Sequence, residues 1–276
     1  MQILLGSRFY ADHWDVGHFW ARAFSRLGHS LVMWDWGIDP YPPDTAYDVA
    51  VILKGDEKSA EKVRGPKLLY FPDDYARFPA IADKMGLYDK VFTMIRPTPA
   101  GSIWLPGAWD PAVHYQRPEV AVRSKATFIG THTPHKHGIL QSICPDAVFG
   151  NGWEEQPSWK GTRFFPPLYL HDYARVLSAS IVAINVHRVP DIGLTRRIFE
   201  FSACTMTISD DVPGVREIFG EALSERMVFQ NADEAHHMVA RFNADPGYRA
   251  ETWAMQVKAI DGYTYLDLAR TMLEGL

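Results

Sequence analysis

The densest chemical grouping in the chain is Asp191-Ile192-Gly193-Leu194-Thr195-Arg196-Arg197-Ile198-Phe199-Glu200. It follows the apolar run 181–184, so Gly193 and Thr195 can open a helix at the carboxyl end of a strand, where open α/β sheets bind ligands. Arg196 and Glu200 are four apart and share a helical face. A carboxylate can accept both hydroxyls of a ribose, and an arginine fork can hold a diphosphate. The same spacing also makes a plain surface ion pair, worth ~0.3–0.5 kcal/mol to a helix. Spacing alone does not separate the two readings.

A second grouping is Phe128-Ile129-Gly130-Thr131-His132-Thr133-Pro134-His135-Lys136-His137, a glycine turn after a strand with a cation near the next helix start. Backbone N–H groups there can receive phosphate, each helix-end contribution being ~0.3–1 kcal/mol, so several must act together. The alternative is an ordinary turn with a solvated lysine. His132, His135 and His137 have the chemistry of zinc or nickel ligands, but no cysteine or carboxylate pair nearby completes a set, and no metal is expected. Trp153 sits in a glycine-rich turn and is the aromatic side chain singled out for the nucleotide, with Tyr173 second. Trp14, Trp20, Trp34, Trp36 and Trp104 suit either an acceptor platform or a core. His13, Asp15 and His18, after the first apolar run, are candidate general bases, and Asp73 and Asp74 are candidates to orient a hydroxyl. Loop polarity, capping and turn formation explain these polar residues as well.

Such residues need a frame that gathers strand ends and helix starts. Short apolar runs at 1–5, 31–34, 49–53, 68–71 and 91–95 predict strands of a parallel sheet covered on both faces. Trp20, Ala23, Phe24 and Leu27 fall at helical spacing before a stop at Gly28. Between 106 and 123 the periodicity fails, and Pro106, Gly107, Pro111 and Pro118 mark a connection. Runs at 126–129, 147–149, 181–184, 206–208 and 227–229 then restart the alternation. From 233 to 276 helical spacing dominates, including Leu266, Ala269 and Leu273. The expected division is 1–108, 109–260, and a C-terminal helix at 261–276 packing across the lobes.

Bulk properties agree with a two-lobed globular protein: 276 residues, 47% hydrophobic and 22% charged. The net charge of −5 provides no global attraction to phosphate polymers. No apolar run approaches the roughly 18 residues of a membrane span, and the start lacks a signal-peptide core, which predicts a soluble cytoplasmic protein. Cys144 and Cys204, beside apolar neighbours, read as reduced core thiols.

Several segments taken in order carry a resemblance. They are Tyr88-Asp89-Lys90-Val91-Phe92-Thr93, Leu105-Pro106-Gly107-Ala108-Trp109-Asp110-Pro111, Phe128-Ile129-Gly130, Phe149-Gly150-Asn151-Gly152-Trp153, the stretch from Tyr173 to Asn185, and Leu194 to Glu200. Over much of its length the chain resembles the CgeB-like glycosyltransferases, which are related to the glycogen-synthase-like retaining enzymes.

The resemblance implies an α/β GT-B fold, with two facing Rossmann-like lobes built on parallel sheets. The first lobe would take the acceptor and the second the nucleotide sugar. It assigns Glu200 to the ribose hydroxyls and makes Gly130, Lys136 and Arg196 candidates for the diphosphate. Thr131, Trp153, Asp191, Gly193, Leu194 and Thr195 complete the expected nucleotide-sugar site. The implied reaction moves a hexose from a nucleotide-diphosphate sugar such as UDP-glucose to an acceptor hydroxyl, with retention and with neither metal nor cofactor. Lys136 and Arg196 would stabilise the leaving diphosphate, which can itself deprotonate the acceptor; an inverting course would need His13, Asp15 or His18. The acceptor can be a saccharide, a small molecule, a protein or modified DNA. Two positions depart from the pattern: Thr205 replaces a glycine, and Ile192 stands where a carboxylate is expected, with Asp191 beside it. They motivate the alternative of a non-catalytic nucleotide-sugar-binding module. A dehydrogenase or methyltransferase is disfavoured because Gly6-Ser7-Arg8-Phe9-Tyr10 lacks the closely spaced glycines of a dinucleotide turn. A metal-dependent GT-A enzyme is disfavoured for want of an Asp-any-Asp motif after an early strand.

Overall fold

The computed structural model describes all residues except 10–15, 55–58, 73–78, 155, 157–158, 160 and 189–192. The described residues form two compact units, Met1–Ala108 with Tyr263–Leu276, and Trp109–Gly262.

The first unit is built on strands β1 (Gln2–Ser7), β2 (Ser30–Asp35), β3 (Val49–Leu53), β4 (Lys67–Phe71), β5 (Lys90–Thr93) and β6 (Ile103–Trp104). All pair in parallel, in the order β2-β1-β3-β4-β5-β6. Ile3, Leu4 and Leu5 of β1 and Ala50, Val51 and Ile52 of β3 are wholly buried, which is why these strands read as continuous apolar runs. Helices α1 (Gly17–Arg26), α2 (Ser59–Lys62) and α3 (Pro79–Ala82) connect them. The stop after α1 is Gly28 at φ 83°, a left-handed conformation that glycine adopts without strain. Trp20 of α1 packs 5.1 Å from Tyr70 and 5.5 Å from Tyr265, joining the helix to the sheet and to the last helix of the chain.

The second unit holds β7 (Ser124–Ile129), β8 (Ala147–Phe149), β9 (Arg163–Phe165), β10 (Ser180–Asn185), β11 (Met206–Asp210) and β12 (Val228–Phe229). These also pair in parallel, in the order β12-β11-β10-β7-β8-β9. Helices α4 (Pro134–Ile143), α5 (Leu170–Ser178), α6 (Arg197–Cys204), α7 (Val215–Phe219), α8 (Glu221–Met227), α9 (Ala232–Ala244) and α10 (Pro246–Ala259) flank the sheet. The strand order reverses between β7 and β10, the switch point at which open α/β sheets leave a crevice beyond the strand ends.

The last helix, α11 (Tyr265–Leu273), starts at a capping box in which Thr264 and Asp267 satisfy each other's backbone N–H. It returns to the first unit and packs on α1, with Phe19 5.2 Å from Tyr265. Strands β6 and β9 do not show in the sequence because each is a short edge strand left partly exposed and makes no buried apolar run. The expected core position of Cys144 is corrected: it is exposed at the left-handed C-cap of α4, at φ 52°, while Cys204 is buried and its thiol pushed up by burial. Thr205, in place of a glycine, has extended backbone at φ −162° and donates its hydroxyl to Ser180 O at 2.7 Å, so no glycine is needed. Among the first-lobe tryptophans, Trp20 and Trp34 are core, Trp36 and Trp104 are half-buried under Arg8 and Arg96, and Trp14 lies outside the described residues. No helix among the described residues is long and apolar enough to cross a membrane.

Candidate functional site

The crevice between β7 and β10 is bridged by Arg197, the first residue of α6. Its Nη1 donates to Ile129 O at 3.1 Å and its Nη2 to Val186 O at 2.9 Å, tying both strand ends to the helix start. Burial lowers its pKa from the ordinary arginine value. Gly130 passes so close that a Cβ there would lie 2.3 Å from Arg197 Nη1. Gly150, at φ 144°, leaves no more room, since its Cβ would lie 2.2 Å from Gly130 O. Trp153 Nε1 donates to that same carbonyl at 2.7 Å. Trp153 has no exposed surface and stands among His132, Trp159 and Phe164, so it buttresses the Gly130 turn from behind and offers no face to a ligand.

Helix α4 begins at Thr133, whose hydroxyl accepts Lys136 N, with Pro134 at the first helical position. This start turns the Lys136 side chain inward, where it is 4% exposed and donates from Nζ to Thr131 O at 3.1 Å. Burial, then the charges of Arg197 and Arg188, lowers its pKa to about 7, against a smaller upward pull from Asp210. The local sum of charge is positive, which attracts an anion. Thr131 and His135 are exposed. His132 and His137 face each other at 3.2 Å and pack on Trp153, and the described residues hold no group of three or more potential metal-ligating side chains.

One turn along α6, Glu200 is 3% exposed. Tyr173 of α5 donates its hydroxyl to Oε2 at 2.8 Å, while Arg196 Nε is 3.4 Å and His114 Nε2 3.9 Å from Oε1. His114 Nδ1 accepts the Asp110 N–H at 3.0 Å, so in the neutral ring the proton is on Nε2, facing the carboxylate. Burial lowers the His114 pKa despite the pull of Glu200 and keeps the ring neutral. Burial and Glu200 together raise that of Tyr173 far above the usual phenol value, so it stays a donor. Arg196 is 30% exposed along its side chain and is the accessible partner of this set.

Gly193, at φ 83°, and Leu194 are buried ahead of α6, and Thr195 N donates to His187 Nε2 at 3.2 Å. The structure thus gathers Gly130, Thr131, Lys136, Gly193, Leu194, Thr195, Arg196 and Glu200 on segments that leave β7 and β10. Asp191 and Ile192 lie outside the described residues, as do His13, Asp15, Asp73 and Asp74. His18 is in the first unit, exposed on α1, with Nε2 3.2 Å from Phe9 O. Sequence reasoning missed Arg197, His114, His187 and Asp210. For the last two a signal existed, because each is a polar residue at the carboxyl end of a buried strand, Asp210 as the last residue of β11 and His187 two past the end of β10.

The profile of the family described as glycosyl transferase-like matches residues 132–274, just over half of the chain. No curated protein matches the sequence. Among solved structures, a DNA-modifying β-glucosyltransferase determined with and without uridine diphosphoglucose superposes with a TM-score of 0.66 at 13% identity, covering 99% of this chain and 97% of that one. An α-glucosyltransferase in complex with UDP and a 13-mer DNA containing an HMU base gives 0.68 at 10% identity and 96% coverage of both chains. Sucrose-phosphate synthase from Thermosynechococcus elongatus gives 0.69 at 13% identity, with 99% of this chain and 97% of that one covered. At these identities the likeness is one of fold, and the fold is the expected GT-B class. With the profile match spanning the α4–α11 segment that carries Lys136, Arg196 and Glu200, the chain belongs to the glycosyl transferase-like family.

Proposed function

We propose that this chain transfers a hexose from a nucleoside diphosphate sugar such as UDP-glucose to an acceptor hydroxyl, with retention and without a metal. The observation that carries the reading is the Glu200 carboxylate, oriented by Tyr173 and facing His114, one helical turn from Arg197, whose charge acts on the buried Lys136. Oε1 can accept the ribose diol once Arg196, its accessible partner, turns to the diphosphate. Lys136, Arg196 and the turn at Gly130 and Thr131 then surround the phosphates, while Gly193 and Leu194 offer amides to the sugar.

In the transfer step the bond between the anomeric carbon and the diphosphate oxygen breaks, with its electron pair left on the diphosphate. The acceptor oxygen bonds to the anomeric carbon and its proton passes to a diphosphate oxygen. Lys136 and Arg196 are aimed at the charge that grows on the leaving group, usually the largest single source of catalysis in such steps. Residues 1–108 serve the acceptor in this reading, and an inverting course would instead draw on His13, Asp15 or His18. A closer relation to the CgeB-like enzymes and a cytoplasmic location belong to the same proposal, supported by the ordered motifs and the lack of a spanning helix among the described residues.

Modified DNA is the second acceptor reading, favoured by the likeness to the DNA-modifying glucosyltransferases and opposed by the net charge of −5. Thermal melting with a panel of nucleoside diphosphates tests the donor site: one nucleotide should raise Tm, and Glu200→Ala should remove the response. No response to any common nucleotide would count against the proposal.

A further inference from the structure

We infer that His187 and Asp210 are positioning residues, which through one fixed histidine tautomer hold the Thr195 amide and with it the backbone that meets the donor sugar. This rests on the donor-site reading above. His187 follows β10 and Asp210 ends β11. Asp210 Oδ2 accepts the His187 backbone N–H at 2.9 Å, and Oδ1 accepts from Nδ1 at 2.5 Å. His187 has no exposed surface and Asp210 is 8% exposed. Burial pushes the Asp210 pKa up, but the nearness of His187 and the two hydrogen bonds from it outweigh burial and hold it below the usual value.

An ionised carboxylate has only acceptor sites, so Nδ1 must carry the ring proton. Nε2 is then a bare lone pair, and it accepts Thr195 N–H at 3.2 Å, with Asn185 Nδ2 further off at 3.5 Å. A buried histidine–aspartate pair at a strand end has the look of a general-base pair. Here Nε2 is already committed to a main-chain amide, which fits orientation of the Gly193–Arg196 segment and not proton abstraction. Thr195 Oγ1, on the anchored residue, is buried without a hydrogen-bond partner among the described residues, a hydroxyl placed for a polar ligand group.

Asp210→Asn tests this with almost no change of shape. The His187 backbone N–H is an obligatory donor and claims the amide oxygen. The amide NH₂ is left facing Nδ1, which forces the ring proton onto Nε2, against Thr195 N–H. Ring ¹⁵N NMR should therefore show the Nδ1–H tautomer in the wild type and the Nε2–H tautomer in Asp210→Asn. A buried amide left unpaired predicts a roughly tenfold to hundredfold loss in kcat/KM for the nucleotide sugar. Binding of free UDP, held by Glu200, should change by less than about threefold.

A flipped tautomer with unchanged kcat/KM would overturn the inference. So would an Nε2–H or doubly protonated His187 in the wild type, a measurement that stands even if the variant does not fold. If the wild type binds no nucleotide and turns over no nucleotide sugar, the donor-site reading fails instead, whatever the tautomer.

Discussion

The hydroxyl of Tyr173 donates to Glu200 Oε2 over 2.8 Å, with both residues nearly closed to solvent at 6% and 3% exposure. The contact joins α5 to α6 and fixes the plane of the carboxylate before any ligand arrives. With His114 facing Oε1 and Arg196 beside it, the carboxylate is held at a set angle where a ribose diol can meet it. Buried polar pairs of this kind are costly to break from one side, because the remaining partner keeps its desolvation penalty.

Tyr173→Phe should therefore cost ~1–3 kcal/mol in stability and about tenfold in nucleotide affinity, since Oε2 loses its buried donor. Glu200→Ala should abolish nucleotide binding while leaving the buried Tyr173 hydroxyl without its acceptor. Urea denaturation and calorimetric titration with UDP check both.

Lys136 makes binding depend on pH. Its pKa of about 7 lies below the ordinary lysine value, so it is charged below pH 7 and progressively neutral above. A bound diphosphate favours the charged form, so affinity should fall as pH rises from 7 to 9, and binding near pH 8 should take up a proton. Titrations in buffers of different ionisation enthalpy measure that uptake, and Lys136→Arg should flatten the profile. Linkage also sets the sign for stability: the folded state disfavours the lysine proton, so stability from this group rises with pH between about 7 and 10.5. Lys136→Met should remove that slope.

Adjacent arginines should separate cleanly. Arg197→Met leaves the Ile129 and Val186 carbonyls unpaired at the switch point and should destabilise the protein by ~2–4 kcal/mol. Arg196→Met breaks a partly exposed ion pair, should cost under ~1 kcal/mol in stability, and should weaken diphosphate binding. Chemical denaturation paired with nucleotide titration distinguishes the two.

The Gly130 turn should tolerate no side chain. Gly130→Ala puts a methyl on Arg197 and Gly150→Ala puts one on Gly130 O, so each should lower Tm and reduce nucleotide binding together. Trp153→Phe, which deletes the bond to Gly130 O, should cost ~1 kcal/mol. Differential scanning calorimetry of the three variants orders them.

Much of the frame was legible because parallel strands buried on both faces write themselves as apolar runs: β1, β3, β4, β7, β10 and β11 are all visible. Strands β6 and β9 were not, since these short edge strands stay partly exposed and carry no buried apolar run. Glu200 and Arg196 stood out by their spacing, but the inward role of Arg197 did not. Which of two neighbouring arginines faces the crevice depends on where α6 starts, and sequence fixes helix starts poorly. His114 was invisible for a different reason: its contact with Glu200 spans 86 positions and arises only when the segment after Trp109 folds against α6. Trp153 was marked by its glycine turn, yet the turn explains its burial.

The most direct test of nucleotide-sugar transfer is mass spectrometry of a donor-by-acceptor screen that includes saccharides, small hydroxyl compounds, proteins and hydroxymethylated DNA. One nucleotide sugar should be consumed with matching release of its nucleoside diphosphate, one acceptor should gain a hexose, and Glu200→Ala should abolish both. Donor depletion equal in wild type and Glu200→Ala, or no donor consumed and no acceptor modified across the screen, would rule out nucleotide-sugar transfer by this chain.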